Sequence, residues 1–359
     1  MAINISLIRT HYPHWGQHCG INQFLKYVDQ NNYYIDVHVS KDNDDDFPIR
    51  NGFVQRCLRH IVRRGMQYYK LSDLTAEIKA FRKCIQNKVD IIHYLDGEHS
   101  AQYLPWLLKK WGKSHTKILA TFHQPPDLLD SLIIKSVIAK LDLVTVLSPD
   151  QVAYFKELIA TDKICLIPHG IDTNFFKPRI NPREESKFRC ITVGHWLRNF
   201  KATRLVAEKL VSYKNIEFHL VTSRLHGPKH TGLEDLKNVT IHRDNIDDTR
   251  LLQLYQESDV LFLPLLQAAA SNALLEGIAC GLPVISTLLP SVKMYLPGKE
   301  AILIKDSDAQ QFVNGILFLA HNPEERLDMG REARKRAEEL DWRSITPQYE
   351  AIYTKLFST

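Results

Sequence analysis

The residues that could do chemistry cluster in a few short stretches. The densest is Ser271-Asn-Ala-Leu-Leu-Glu-Gly-Ile-Ala-Cys-Gly-Leu-Pro-Val-Ile-Ser286. An apolar run ends at Pro264, small residues follow (Ala268-Ala269-Ala270), and Ser271 or Asn272 can cap a helix. Gly281 and Pro283 close that helix before the next apolar run. The exposed amides of the first turn, from Ser271 and Asn272 onward, would then form an anion site, which the preceding small residues allow a phosphate to approach. Glu276 lies one turn further in, where a carboxylate can accept both hydroxyls of a ribose. The plain alternative is a capped helix with a surface glutamate.

A second stretch, Val193-Gly-His-Trp-Leu-Arg-Asn-Phe-Lys201, follows an apolar run and leads into a helical pattern. It carries two cations, Arg198 and Lys201, beside the start of that pattern. The alternative is a solvated basic loop. In Thr121-Phe-His-Gln-Pro-Pro126, a strand would deliver His123 to its C-terminal tip, and His93 with Asp96-Gly97 would follow a neighbouring strand. The loop from Thr10 to Asn22 carries Gly16 and Gly20; it is neither a Walker A nor a G-x-G-x-x-G sequence. In Ile167-Pro-His-Gly-Ile-Asp172, Gly170 permits a turn and Asp172 can hold it by side-chain hydrogen bonds.

Taken in order, these stretches resemble the retaining glycosyltransferases of family 4, which have the GT-B fold. Glu276 and Ala279-Cys-Gly-Leu-Pro-Val284 match the second half of the family signature. The first signature glutamate would fall at Ala268, and the loop Ala270-Ser-Asn-Ala-Leu-Leu-Glu276 looks like the A-N-N-A-L-L-E variant. Lys201 matches the donor-diphosphate lysine of the family with one residue of slack; His195 stands at the family's arginine position, which leaves Arg198 as the second cation. Ile167 to Pro178 resembles I-P-N-G-V-D-x-x-x-F-x-P, with His169 in place of asparagine.

The resemblance implies two Rossmann-like, doubly wound α/β domains facing a cleft. It implies transfer of a sugar from a nucleotide-diphosphate donor to a glycan, lipid-linked or small-molecule acceptor, with retention and without a metal or other cofactor. His123 would touch the transferred sugar. Gly20, His195, Ser271, Asn272, Ala273 and Glu276 would bind the donor, and Arg198 and Lys201 would act on its diphosphate. Polysaccharide biosynthesis is the expected setting. Two other readings remain beside it: an inactive nucleotide- or glycan-binding partner in a glycan-assembly complex, favoured by Ala268, and a nucleotide-sugar epimerase of the same fold.

Elements able to position these residues are legible. Short apolar runs recur at 3–8, 35–39, 90–93, 118–122, 143–147, 164–167, 191–193, 216–221, 239–242, 260–264, 284–286 and 301–304, with helix-length amphipathic stretches between most of them. Such alternation predicts parallel sheets with crossover helices and ligands beyond the strands' C-terminal ends. The proline- and charge-containing stretch 178–186 suggests a break. The expected domains are 1–168, 169–340 and a helix in 341–359 packing back on the first; Trp342, Ile345, Tyr349, Ile352, Tyr353 and Leu356 would form its apolar face.

Among 359 residues, 44% are hydrophobic and 24% charged, ordinary globular values. A formal charge of +5 suits anionic small molecules or a membrane surface and falls short of a nucleic-acid footprint. Residues 53–71 read as a basic amphipathic helix carrying Arg56, Arg59, Arg63 and Arg64: either a peripheral contact at the inner membrane face or a core-facing helix with a solvated basic side. Six scattered cysteines and no secretory pattern at the N-terminus suggest a reducing cytoplasm. Asp44 and Asp46 form a D-x-D, but without surroundings to enforce metal geometry, and no H-E-x-x-H occurs.

Overall fold

The computed structural model describes residues 2–11, 16–41, 44–63, 66–111, 115–180, 187–222, 232–243 and 246–358. Each of the apolar runs becomes a strand. The twelve strands among the described residues are β1 (Ile3–Thr10), β2 (Tyr33–Ser40), β3 (Ile91–Tyr94), β4 (Lys117–Phe122), β5 (Leu143–Val146), β6 (Ile164–Leu166), β7 (Phe188–Val193), β8 (Ile216–Val221), β9 (Val239–His242), β10 (Val260–Leu263), β11 (Val284–Thr287) and β12 (Ala301–Ile304). Central strands such as Val-Leu-Phe-Leu in β10 and Leu-Val-Thr-Val in β5 are buried along their whole length, as continuous apolar runs covered on both faces must be.

The described residues form two compact units: one from 1–15, 21–169 and 343–359, the other from 16–20 and 170–342. The first sheet runs β2-β1-β3-β4-β5-β6 and the second β12-β11-β10-β7-β8-β9, with every described pairing parallel. Strand order reverses between β1 and β3 in the first sheet and between β7 and β10 in the second. Those reversals open the crevices where doubly wound sheets take their ligands. Both sheets share a device at the other end of the strands. An aspartate just before one strand accepts the amide of its neighbour's second residue: Asp90 from Asn4 at 2.8 Å, Asp142 from Ile118 at 2.8 Å and Asp259 from Arg189 at 2.9 Å.

The division falls between His169 and Gly170, ahead of the 178–186 stretch where the sequence suggests a break; 181–186 lie outside the described residues. Local bonding explains the difference. Ile171 N–H donates to Leu340 O at 3.0 Å and Trp342 N–H to Ile171 O at 3.2 Å. Arg334 Nη1 reaches the carbonyls of Phe176 and Ala279, at 2.9 and 2.7 Å. Residues 170–178 are therefore fastened to the second unit. The turn is held by Asp172, whose Oδ1 accepts the amides of Asn174 and Phe175.

The C-terminal helix runs Trp342–Ser358. Its six apolar-face residues are all buried. Within the first unit Tyr353 Oη meets His93 Nδ1 at 2.7 Å, and the amide of Asp29 donates to Glu350 at 2.8 Å. Among the described residues no helix is long and apolar enough to cross a membrane.

Candidate functional site

At the reversal point of the second sheet, the loops after β7 and β10 are tied together. Asn199 N–H donates to Pro264 O and Leu266 N–H to Leu197 O, both at 2.9 Å, and Arg198 and Leu265 form an isolated antiparallel bridge. Gly194 stands at φ +86°, and a Cβ there would lie 3.1 Å from Arg198 Nη2, so glycine serves both the turn and the return of the arginine over it. Leu197 holds φ +55° without a glycine's freedom, a strain of order 1–3 kcal/mol that the paired loops sustain.

Arg198 donates through Nε to Val193 O (2.9 Å), through Nη1 to Trp196 O (3.1 Å) and through Nη2 to Ser271 Oγ (3.4 Å). Burial pushes its pKa down to about 10, against the raising effect of Tyr255 and Glu276, so it remains a cation at neutral pH. A guanidinium has five N–H donors, so two remain for a ligand.

Ser271 caps the helix Asn272–Ala279, its Oγ accepting from Leu274 N at 3.4 Å. The amides of Asn272 and Ala273 donate to no described residue, as the first turn of a helix leaves them. At the other end, Gly281 N–H reaches Ile278 O at 3.0 Å and Leu282 N–H reaches Gly277 O at 3.1 Å, a Schellman closure. Glu276 is buried; Tyr255 Oη donates to its Oε2 at 2.8 Å, and its Oε1 accepts from no described residue. Burial raises its carboxyl to about 7, although the Tyr255 bond and Arg198 lower it.

The segment Gly16–Gly20 belongs to the same unit. The amides of Gln17 and His18 donate to Asp248 Oδ2 at 2.6 and 3.1 Å. A Cβ on Gly16 would sit 1.6 Å from Asp248 Oδ1, so a side chain there would displace the carboxylate that holds the Gln17 and His18 amides. His18 stacks on Phe175 with ring centroids 3.7 Å apart and pairs with Asp172 at 2.9 Å. Cys19 interacts with Glu276 and Asp248, and burial first, then these charges, pushes its thiol up to about 12. The amide of Gly20 donates to no described residue.

His123 lies in the first unit, just past β4. Its amide donates to Glu98 Oε1 at 3.0 Å and its ring Nε2 meets Leu95 O at 2.7 Å. Because a carbonyl can only accept, Nε2 carries hydrogen, and Nδ1 has no described partner. His93, on the neighbouring strand β3, is structural. It is fully buried, with Nδ1 on Tyr353 and Nε2 on Thr121, and burial depresses its pKa to about 3. Asp96 is likewise committed, accepting the amide of Thr10 at 3.0 Å.

The second unit thus gathers Arg198, Ser271, Asn272, Ala273 and Glu276 within one loop-and-helix assembly. His195 belongs to its turn, its carbonyl accepting from Arg198 N at 3.4 Å. Lys201 is exposed on the first turn of the helix Phe200–Lys209 and pairs with no described residue. Ala268 is buried, a methyl group where the family signature has a carboxylate. Tyr255, Asp248 and Glu98 are participants that the sequence reading misses; each sits in an ordinary helical pattern with no local signal.

Two other expectations resolve differently. The basic helix ends at Arg63; past it, Met66, Tyr69 and Leu71 are buried beside Val62, and Leu71 starts another helix. Arg64 lies outside the described residues. The apolar side is only partly covered: Val62 and Leu58 join this small core, whereas Phe53 is 74% and Ile61 62% exposed. Asp44 is taken up by Arg59 (2.5 Å) and the amide of Ser72 (2.9 Å), and Asp46 by the Ser72 hydroxyl.

Comparison with known proteins agrees with this architecture. Residues 20–175 match the family described as Glycosyltransferase Family 4, and residues 187–322 the one described as Glycosyl transferases group 1. D-inositol 3-phosphate glycosyltransferase of Arthrobacter sp. (strain FB24) is 24% identical over 200 residues, covering 50% of this chain and 47% of that protein. Sulfoquinovosyl transferase SQD2 of Arabidopsis thaliana is 25% identical over 269 residues, covering 69% and 48%. The chain therefore spans about half the length of these relatives. The structure of sucrose-phosphate synthase from Thermosynechococcus elongatus superposes with a TM-score of 0.76 at 19% identity, covering 99% of each chain. With both halves matched in order and two parallel doubly wound sheets in place, the chain belongs to the GT-B glycosyltransferases of the family 4 type.

Proposed function

We propose that this chain transfers a glycosyl group from a nucleoside-diphosphate sugar to a glycan, lipid-linked or small-molecule acceptor, with retention of configuration and without a metal. One observation carries the reading. At the reversal point of the second sheet, a cationic guanidinium lies 3.4 Å from the cap of a helix whose first amides are unpaired, with a buried carboxylate one turn behind. Cleavage of a glycosyl–diphosphate bond leaves negative charge on the leaving group. Fixed N–H donors and cations offset that charge without reorganising. In this reading Asn272 and Ala273 bind the distal phosphate, Arg198 and Lys201 stabilise the departing diphosphate, and Glu276 accepts the ribose hydroxyls. Gly20 and His195 line the donor, and His123 contacts the sugar. Front-side displacement follows, with the leaving phosphate taking the acceptor's proton.

Incubation with a panel of nucleotide sugars, with and without glycan and lipid-linked acceptors, tests the proposal. Release of nucleoside diphosphate that rises with acceptor is expected. Binding without turnover would identify a nucleotide-binding partner protein instead, and sugar conversion without acceptor an epimerase.

The reading extends to a peripheral contact with an anionic membrane surface. What supports it is the helix Gly52–Arg63, which carries Arg56, Arg59 and Arg63, no acidic residue, and exposed Phe53 and Ile61. Sedimentation with vesicles containing anionic lipid is expected to carry the protein down, and Phe53→Ser with Ile61→Ser to release it. Equal recovery of both forms with the vesicles would remove this contact.

A further inference from the structure

Asp248 opens the helix Asp248–Gln256 in the second unit, and the donor-site reading gives it no task. An acid in the first turn of a helix is favoured by the helix dipole alone. This one is committed elsewhere. The helix is already capped by Asp247, which accepts the amide of Arg250 at 2.7 Å. Asp248 instead turns its Oδ2 to the amides of Gln17 and His18, at 2.6 and 3.1 Å, which lie 231 and 230 positions earlier in the chain. Two N–H groups converging on one carboxylate oxygen form charge-assisted bonds, stronger than neutral pairs. Gly16 lets the other oxygen come close, since a Cβ there would lie 1.6 Å from Oδ1.

The same helix carries Tyr255 two turns further along, and the Tyr255 hydroxyl holds Glu276 Oε2 at 2.8 Å. A line of rings joins the two ends. His18 stacks flat on Phe175 at 3.7 Å, Phe175 meets Phe176 edge-on at 5.0 Å, and Phe176 meets Tyr255 edge-on at 6.2 Å between centroids. Phe176 and Tyr255 are buried, and close-packed rings do not shift independently. Asp172 fastens the near end: its Oδ2 takes His18 Nδ1 at 2.9 Å, while its Oδ1 holds the amides of Asn174 and Phe175.

We propose that Asp248 is the positioning residue of the segment Gly16–Gly20. It seats the loop on the helix that also aligns Glu276, so that loop and carboxylate meet the donor as one preset surface. Gly20, at φ +85° and with an amide bonded to no described residue, ends that loop. With the loop already ordered, that amide reaches a donor without the entropy cost of arranging it. The consequence for a donor rests on the function proposed above; the anchoring of the loop does not.

The test compares three variants of the full chain. Asp248→Ala removes the acceptor, Asp248→Asn keeps one carbonyl oxygen for the two amides, and Gly16→Ala puts a methyl group where Oδ1 lies. Asp247 remains as the cap in all three, so the melting temperature should change little. Residue-resolved amide exchange in the free protein should speed up at Gln17 and His18 in Asp248→Ala and Gly16→Ala, and return most of the way in Asp248→Asn. With a nucleotide sugar, the first two variants should raise the donor KM about tenfold at a nearly unchanged kcat, as for lost binding rather than lost chemistry, and Asp248→Asn should recover most of it. Unchanged exchange at Gln17 and His18 overturns the anchoring. Faster exchange with an unchanged donor KM, or a lower melting temperature alone, leaves Asp248 a structural residue and overturns the positioning. Should Asp248→Ala fail to fold, Gly16→Ala carries both measurements. If the unaltered protein turns over no nucleotide sugar, the function proposed above fails, and exchange alone decides whether Asp248 anchors the loop.

Discussion

Glu276 in the second unit and Glu98 in the first are both buried, and burial raises both carboxyls to about 7, but the surroundings differ. Glu276 has one oxygen held by the Tyr255 hydroxyl and the other uncommitted, in a loop assembly that also carries a cation and two unpaired amides. Glu98 has one oxygen on a main-chain amide and the other enclosed without a partner, beside a histidine and an aspartate. The same desolvation therefore serves two ends. In the second unit it accompanies a cation and the unpaired first amides of a helix. In the first it accompanies the anchoring of the His123 main chain just past β4. Fold similarity alone would not separate these roles; the partners of each carboxyl do.

The largest effect that sharpens this contrast is expected at Lys201. Lys201→Ala should lower turnover with a nucleotide sugar roughly 100-fold, about 3 kcal/mol in the barrier, at an unchanged melting temperature because the side chain is exposed and unpaired. Equal turnover would take the leaving-group cation away from this helix.

Next is the pH dependence of stability. Both glutamates have folded pKa values above the ordinary 4.5, so the folded chain binds more protons than the unfolded one between that value and about 7. Stability must then fall as pH rises through this window, by about 3 kcal/mol for each group. Denaturant titrations at pH 5 and pH 7.5 should show the slope. Glu98→Gln and Glu276→Gln should each flatten it, and a slope indifferent to both would place the charge cost elsewhere.

A smaller effect separates the two glutamates. Glu276→Ala should weaken donor binding by calorimetry about tenfold or more, the scale of hydrogen bonds to a charged acceptor, whereas Glu98→Gln should leave it unchanged. Comparable losses in both would erase the division of roles. Ser271→Ala, which removes a helix cap and an Arg198 acceptor, should cost about 1 kcal/mol of stability in chemical denaturation.

Much of this is written locally in the chain. The strands are legible as apolar runs because parallel strands covered on both faces need continuous apolar sequence. The cap at Ser271 and the closure at Gly281 are legible because helix ends are local chemistry. The tie between Leu197 and Leu266 is not, since it depends on β7 and β10 becoming neighbours across a long stretch of chain. Tyr255 and Asp248 are invisible for a related reason: an aromatic in an amphipathic stripe and an acid in a first helical turn are ordinary in themselves. The division at 169/170 lies one residue from the expected 168/169, whereas the stretch from Pro178 reads as a linker although Arg334 and residues 340–342, distant in sequence, hold residues 170–178 in the second unit. The helix 52–63 is misjudged at its far end, where Met66 and Tyr69 enter a small core that helical periodicity cannot announce.

The most direct test of the central claim is residue-resolved amide exchange on the full chain, with and without UDP, GDP or ADP. Asn272 and Ala273 should exchange quickly in the free protein and become protected when the correct nucleoside diphosphate is added, while strands β3 to β5 of the first sheet stay unchanged. Saturating nucleotide that leaves those two amides exchanging as before would contradict the account.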